Sequence, residues 1–312
     1  MFKRTCCRLL GLCLPLFFLS VLPAQSAPLR LALLPIPDVL PAYVAAAKGF
    51  FAAEGIEVKL LPIGSAADRD QLMQAGSIDG MVNDLVSTAS LNRGKIRAKI
   101  IAIARAPLAG SPMFRVLAGK DAPVKSIGDL AGVPIAISRN TVIEYVSNKM
   151  LASLPEKSVV YQSVPVMPER LQLLMSGQIK AAVMADPLAF SAVAAGAREI
   201  VNDLSIADYS VSTLTFAAAT LEGKAAEVKA FMRAWDKACA AINDHPEQFR
   251  PLFLEKIRVP PNIAATYPIP QMPRHQAPSR RQWDDVMAWM VKVKLLDIPS
   301  RYEDSVTDAF LP

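Results

Sequence analysis

The sequence predicts an α/β fold made of two similar blocks, each a mostly parallel sheet flanked by helices. Three observations carry this expectation. Strand-like and helix-like segments alternate from Leu29 to about Asn202. The link between the first two strands is long enough for a helix, and such βαβ crossovers join parallel strands right-handedly. The order strand, helix, strand, helix, Gly-x-Ile strand, helix is written twice.

The first block opens with "LRLALLPI" as a strand. "YVAAAKGFFAAEG" follows as a short helix, rich in alanine, that ends at Gly55, a residue free to take positive φ. "IEVKLLPI" alternates into the second strand and stops at Pro62 and Gly64. Then come a helix in "AADRDQLMQAGS", a short strand in "IDGMVND", a helix in "LVSTASLNRGK", and strands in "RAKIIAIARA" and "MFRVLAG". The second block starts at "VKSIGDLAG". It runs through "VPIAIS" (strand), "TVIEYVSNKMLASL" (helix), "SVVYQSVPV" (strand), "PERLQLLMSGQ" (helix), "IKAAVMAD" (strand), "PLAFSAVAAGA" (helix) and "REIVND" (strand). "LMQAGSIDGMVND" and "LLMSGQIKAAVMAD" echo one another, closing on Asp84 and Asp186. The apolar "SVSTLTFAAA" has no place in the second block and reads as a return strand to the first. A long amphipathic helix follows, with Val228, Phe231, Met232, Trp235, Cys239 and Ile242 on one face. A proline-rich stretch, "VPPNIAATYPIPQMPRHQAPS", leads to a last helix with Trp283, Val286, Met287 and Met290 on one face. The expected boundaries are a leader over 1–26, a first lobe over 27–118 with 215–312, and a second lobe over 119–214.

Composition narrows the function classes. Of 312 residues, 52% are hydrophobic and 20% charged, which describes a core-rich globular chain. Lys3, Arg4 and Arg8 precede the apolar "LLGLCLPLFFLSVLP". Ala24 and Ser26 hold the spacing a signal peptidase reads, so cleavage is expected before Ala27 and export to the periplasm with it. A membrane anchor, or a lipoprotein at Cys13, is the alternative; Pro15 and Pro23 argue against a span, and bulky Leu12 against lipidation. The formal charge is +6, half of it in the leader. No basic run remains for nucleic acid. Of four cysteines, only Cys239 lies beyond the leader, so no intrachain disulfide is expected. His245 and His275 are the two histidines. No metal-ligand spacing, paired cysteines, HExxH or GxSxG motif is present, so neither metal, cofactor nor catalysis is expected.

Several fragments together resemble a known family. They are "AAKGFFAAEGIEV", "GSAADRDQLMQAGSIDG", "VKSIGDLAGVPIAIS" and "LMSGQIKAAVMADPLA". In this order they are similar to the solute-binding proteins of ABC importers for nitrate, sulfonates, taurine and thiamine-precursor pyrimidines. The resemblance implies a type 2 periplasmic binding protein: two lobes joined by two hinge crossings, a small molecule held between them, an ABC permease as membrane partner, and a monomer that does no chemistry. A pyrimidine-precursor synthase of the same fold and a periplasmic ligand-sensing module are the alternatives.

In open α/β sheets, ligands sit beyond the carboxyl ends of strands. That rule nominates Asp38, Gly64, Ser65, Asn83, Asp84 and Ser111 in the first block. In the second it nominates Arg139, Asn140, Thr141, Tyr145 and Asp186. Each has a plainer reading. Ser65, Asp84, Asn140, Thr141 and Asp186 are all good helix caps, and Tyr145 is either a stacking face or core. Arg105 and Glu144 lie among the same strand ends. Arg105 and Arg139 suit a sulfonate- or nitrate-type anion; two or more of Asp38, Asp84, Glu144 and Asp186 facing the cleft would disfavour a bare anion and favour a small nitrogen-bearing heterocycle such as a thiamine-precursor pyrimidine.

Overall fold

A computed structural model describes residues 27–312; the expected leader lies outside them. The strands form two five-stranded sheets. The first contains β1 (Leu29–Leu33), β2 (Val58–Pro62), β3 (Gly80–Asp84), β4 (Ala98–Arg105) and β10 (Ser212–Ala217), in the order β2-β1-β3-β10-β4. The second contains β5 (Phe114–Ala118), β6 (Pro134–Ile137), β7 (Val160–Ser163), β8 (Ala181–Ala185) and β9 (Arg198–Asn202), in the order β7-β6-β8-β5-β9. In each sheet one strand runs antiparallel to its neighbours, β10 in the first and β5 in the second. Each of these is the strand that arrives from the other sheet. The two sheets therefore share one topology and exchange one strand each.

Sheet membership moves the expected boundaries. β5 was assigned to the first block, but it pairs with β8 and β9. The crossings lie between Arg105 and Phe114 and between Asn202 and Ser212, rather than at 118/119 and 214/215. "SVSTLTFAAA" does return to the first sheet as β10.

Twelve helices surround the sheets among the described residues. The first block carries α1 (Leu40–Ala47), α2 (Phe50–Ala53), α3 (Ala66–Gln74) and α4 (Leu85–Leu91). The single helix expected after β1 is broken: Gly49 sits at φ 72° between α1 and α2, a conformation that costs glycine little. The second block carries α5 (Val142–Met150), α6 (Met167–Met175) and α7 (Leu188–Ala194). After β10 come α8 (Ala218–Gly223), α9 (Ala225–Asp244), α10 (Arg250–Lys256), α11 (Arg280–Lys292) and α12 (Tyr302–Ser305).

The apolar face of α9 packs on the first sheet: Phe231 stacks on Phe51 and meets Phe216 and Trp235. The apolar face of α11 behaves differently. Trp283, Met287 and Met290 join one buried cluster with Leu85 and Val86 of α4 and with Ile135, Val146 and Val183 of the second block. α11 thus bridges the two blocks instead of covering only the first.

The internal echo has a structural basis. Arg69 of α3 donates through Nη1 to the Val82 carbonyl at 3.1 Å, and Arg170 of α6 donates through Nη1 to the Val183 carbonyl at 2.6 Å, each across 13 residues. Both arginines are buried and tie a helix to the central strand of its sheet. Strand register pairs Leu31 with Gly80 and Ile135 with Ala181, so Asp84 matches Ala185 and the two echoing aspartates are offset by one residue.

Candidate functional site

The strand ends of both sheets meet at a buried cluster of charges. After β1, Asp38 lies in a single turn of 3-10 helix, flanked by Pro37. Its carboxylate accepts from Nη1 of Arg105, the last residue of β4, at 3.3 Å. Arg105 Nη2 also donates to Ser111 Oγ and to the Pro112 carbonyl, both at 3.2 Å. Asp38 and Arg105 are 4% and 2% exposed, so each charge depends on the other. This explains an aspartate placed among prolines.

On the facing sheet, Asp186 follows β8. The sequence nominates it as a ligand contact with a cap for α7 as the plainer reading, and no side-chain cap forms there. Instead Arg115 of β5 grips it with both arms of its guanidinium, Nε to Oδ1 at 2.9 Å and Nη2 to Oδ2 at 2.8 Å. The remaining Arg115 nitrogen, Nη1, donates to Glu199 of β9. Asp203, in the second crossing, accepts from the Met113 amide at 3.0 Å and from Ser210.

Tyr267 comes from the proline-rich stretch and completes the cluster. Burial works against the Arg105 charge, yet Tyr267, Asp38 and Asp186 together hold the guanidinium above its ordinary value. Burial pushes the Asp186 carboxyl up, and the Arg115 fork and Arg105 offset only part of that. Burial likewise raises the Asp203 carboxyl and the Tyr267 hydroxyl. Two arginines therefore face four carboxylates here. Arg105 Nε and Tyr267 Oη make no hydrogen bond to any other group in this cluster; the phenol oxygen and the guanidinium support each other only through a poorly aligned contact.

The other expected residues have different roles. Gly64 and Ser65 are exposed, and Ser65 caps α3 by accepting from the Asp68 amide at 3.1 Å. Asn83 faces the sheet rather than the cleft: its oxygen accepts from Thr213 and Thr215 of β10 at 2.9 and 2.6 Å, and its amide donates to Thr88 at 2.8 Å. A buried amide requires such partners, and they hold the side chain against β10 and α4. Thr141 caps α5 by accepting from the Ile143 amide at 3.2 Å. Asn140, at φ 62°, donates its backbone N–H to buried Glu144 at 2.6 Å, and Arg139 pairs with the same carboxylate at 3.3 Å. Arg139 and Glu144 line a cavity of about 460 Å³ with Tyr161, Trp289 and Lys292. That cavity is separate from the Asp38–Arg105–Asp186 cluster.

Tyr145 is not a cleft face. It lies edge-on to Trp289, centroids 5.4 Å apart, and its hydroxyl donates to Asp285 of α11 at 2.9 Å. One turn into a helix, an aromatic ring can point either way; the docking of α11 decides it. Tyr145→Phe should therefore lower unfolding stability by about 0.5–1.5 kcal/mol, the net value of one hydrogen bond, in a urea titration. Ligand affinity should not change.

Asp84 caps α4, accepting from the Ser87 amide at 2.8 Å and the Ser87 hydroxyl at 3.1 Å. Asp84 is half-buried, and the loss of water around it is the largest influence on its carboxyl, raising it above the ordinary 3.8 against the pull of Arg69 and the Ser87 bonds. An acid raised in the folded state gives stability that is complete below its unfolded value and is lost as pH rises through its folded value. Asp84→Asn keeps the capping oxygen and removes this titration. Relative to wild type, the variant should gain stability between pH 4 and pH 7, measured by urea unfolding at both; a constant difference would contradict the burial.

Sequence reasoning missed Arg115, Glu199, Asp203 and Tyr267. Asp38 and Arg105 are 67 residues apart, and Arg115 and Asp186 are 71 apart. Only the sheet order brings each pair together.

Comparison with known proteins gives this arrangement a family. The NMT1/THI5-like family model matches residues 36–249, and the chain belongs to that family. No curated protein sequence matches the chain. Among solved structures, the ligand-binding component of an ABC-type import system from Staphylococcus aureus, solved with zinc bound, is similar at TM-score 0.73 and 14% identity, over 91% of this chain and 98% of that one. The periplasmic aliphatic sulphonate-binding protein SsuA from Escherichia coli is similar at TM-score 0.73 and 14% identity, over 90% and 92%. The desulfurization enzyme DSZB shares the fold at TM-score 0.68 and 15% identity, over 90% and 97%. The fold is thus the two-lobed α/β architecture of these binding proteins, and an enzyme uses it too. Among the described residues no helix is long and apolar enough to cross a membrane.

Proposed function

We propose that this chain is a periplasmic solute-binding protein that captures one small molecule between its two sheets and passes it, unchanged, to the permease of an ABC importer. One observation carries the reading. Arg105 and Tyr267 are buried side by side, with Arg105 Nε and Tyr267 Oη free of any hydrogen bond to another group, at the place where the strand ends of both sheets converge. A ligand that touches this pair and also the facing Asp186–Arg115 pair favours closure through differential affinity, the only way a ligand shifts such an equilibrium.

The lining also bears on the ligand. Four carboxylates against two guanidiniums oppose a bare anion and suit a neutral or cationic molecule with N–H donors for the acids and an acceptor for Arg105 and Tyr267. A small aminopyrimidine has that pattern; a sulfonate or nitrate lacks the donors. Against chemistry, Cys239 is buried in α9, where burial pushes its thiol up. His275 is tied to the Pro312 carbonyl at 3.0 Å. Neither adjoins the cluster. Calorimetry against a 4-aminopyrimidine, an alkanesulfonate and nitrate tests this reading. One-to-one binding of the aminopyrimidine, recovered unchanged, is expected; a preference for either anion overturns the ligand class, and a chemically altered ligand overturns the binding role.

A further inference from the structure

The proline-rich stretch between α10 and α11 does more than supply Tyr267. It is fastened to the first block at three points. Arg250 Nη1 donates to the Tyr267 carbonyl at 2.6 Å. Asn243 and the Met272 backbone exchange hydrogen bonds at 2.9 and 2.7 Å. The Ile103 amide of β4 donates to the Gln276 carbonyl at 2.8 Å. Its other side touches the second block at α7. Ser191 Oγ donates to Asn262 Oδ1 at 2.9 Å, and Asn262 Nδ2 returns a bond to the Ser191 carbonyl at 3.3 Å. Next to this pair, Phe190 meets Tyr267 edge-on at 5.2 Å, and Tyr267 lies parallel to Phe253 of α10 at 6.2 Å. Arg115, already holding Asp186, places its guanidinium over the Phe190 ring at 5.5 Å.

We infer that this segment is a closure latch, in which Asn262 and Ser191 are positioning residues that set the closed population and fix Tyr267 beside Arg105, without touching ligand. This rests on the proposed capture between the lobes. Asn262 is exposed, and Ser191 is buried in this contact. When the lobes part, water can replace both bonds, so the latch biases the equilibrium without locking it. Its neighbour Phe190–Tyr267 gives the contact a fixed orientation.

The test needs no ligand. Spin labels at Gln71→Cys on α3 and Gln172→Cys on α6, both exposed positions, report the distance between blocks in the full chain, with Cys6, Cys7 and Cys13 changed to serine and buried Cys239 kept. The wild type should show a short-distance population. Asn262→Ala and Ser191→Ala should each lower the ratio of short to long distances by roughly fivefold, the effect of about one net neutral hydrogen bond. Asn262→Ala removes both bonds and Ser191→Ala only the hydroxyl one, so the double variant should shift no further than Asn262→Ala alone, and Ser191→Thr should keep the wild-type ratio. Unchanged distances in both single variants, additive shifts, or no short population in the wild type would each overturn the latch. Failure of the proposed ligand class would leave these distances as expected.

Discussion

Replacing Asp186 with alanine should destabilise the protein by about 3–5 kcal/mol, the usual consequence of removing one partner of a buried ion pair. The cause is what remains. Arg115 would keep Glu199 but lose the bidentate partner that takes Nε and Nη2. Its charge would then sit over Phe190 with two of its three nitrogens unpaired. Burial already opposes the Arg115 charge, and Asp186 is the main influence that restores it. Urea unfolding at neutral pH measures the loss. A change below about 1 kcal/mol, the range of an exposed pair, would mean that Asp186 is solvated and that the cluster is not closed as described.

Tyr267→Phe should weaken binding while leaving stability nearly unchanged. The buried hydroxyl has only the Arg105 guanidinium beside it, so removing it should change the stability of the chain without solute by no more than about 1 kcal/mol. Affinity for the solute should fall about tenfold or more, as expected when a ligand loses a hydrogen bond in a dry site. Unfolding of the ligand-free variant and calorimetry with the solute separate the two effects. A variant that loses both stability and affinity would show that the hydroxyl is an ordinary structural group. Loss of stability alone would place the ligand elsewhere.

The fold was readable because its signals are local. Alternation marks β1 and β2, the glycine turn at Gly55 ends α2, and the repeated helix–Gly-x-Ile–strand order announces two related sheets. Which sheet owns β5 was not readable. "MFRVLAG" follows β4 directly in the chain, and only pairing with β8 assigns it to the second block. The spacing from Arg69 to Val82 recurs from Arg170 to Val183, so that buried pair was present as a pattern. The candidate site was readable in part. Asp38 stood out as an acid between prolines, and Asp186 as a strand end. Arg105 was visible as a strand end without its partner, and Arg115 is an ordinary strand residue by sequence. Tyr267 sits in a stretch without periodicity, where no face can be assigned. Asn83 and Tyr145 follow the strand-end rule yet turn away from the cleft, because β10 and α11, distant in sequence, provide better partners.

The most direct test of the central claim is a crystal structure of the protein purified from its own cells with the solute it carries. One small molecule should lie between Asp38–Arg105 and Asp186–Arg115, with acceptor atoms about 2.7–3.2 Å from Arg105 Nε and Tyr267 Oη. A solute in the cavity between α5 and α11, or one that leaves both of those atoms without a partner, would contradict it.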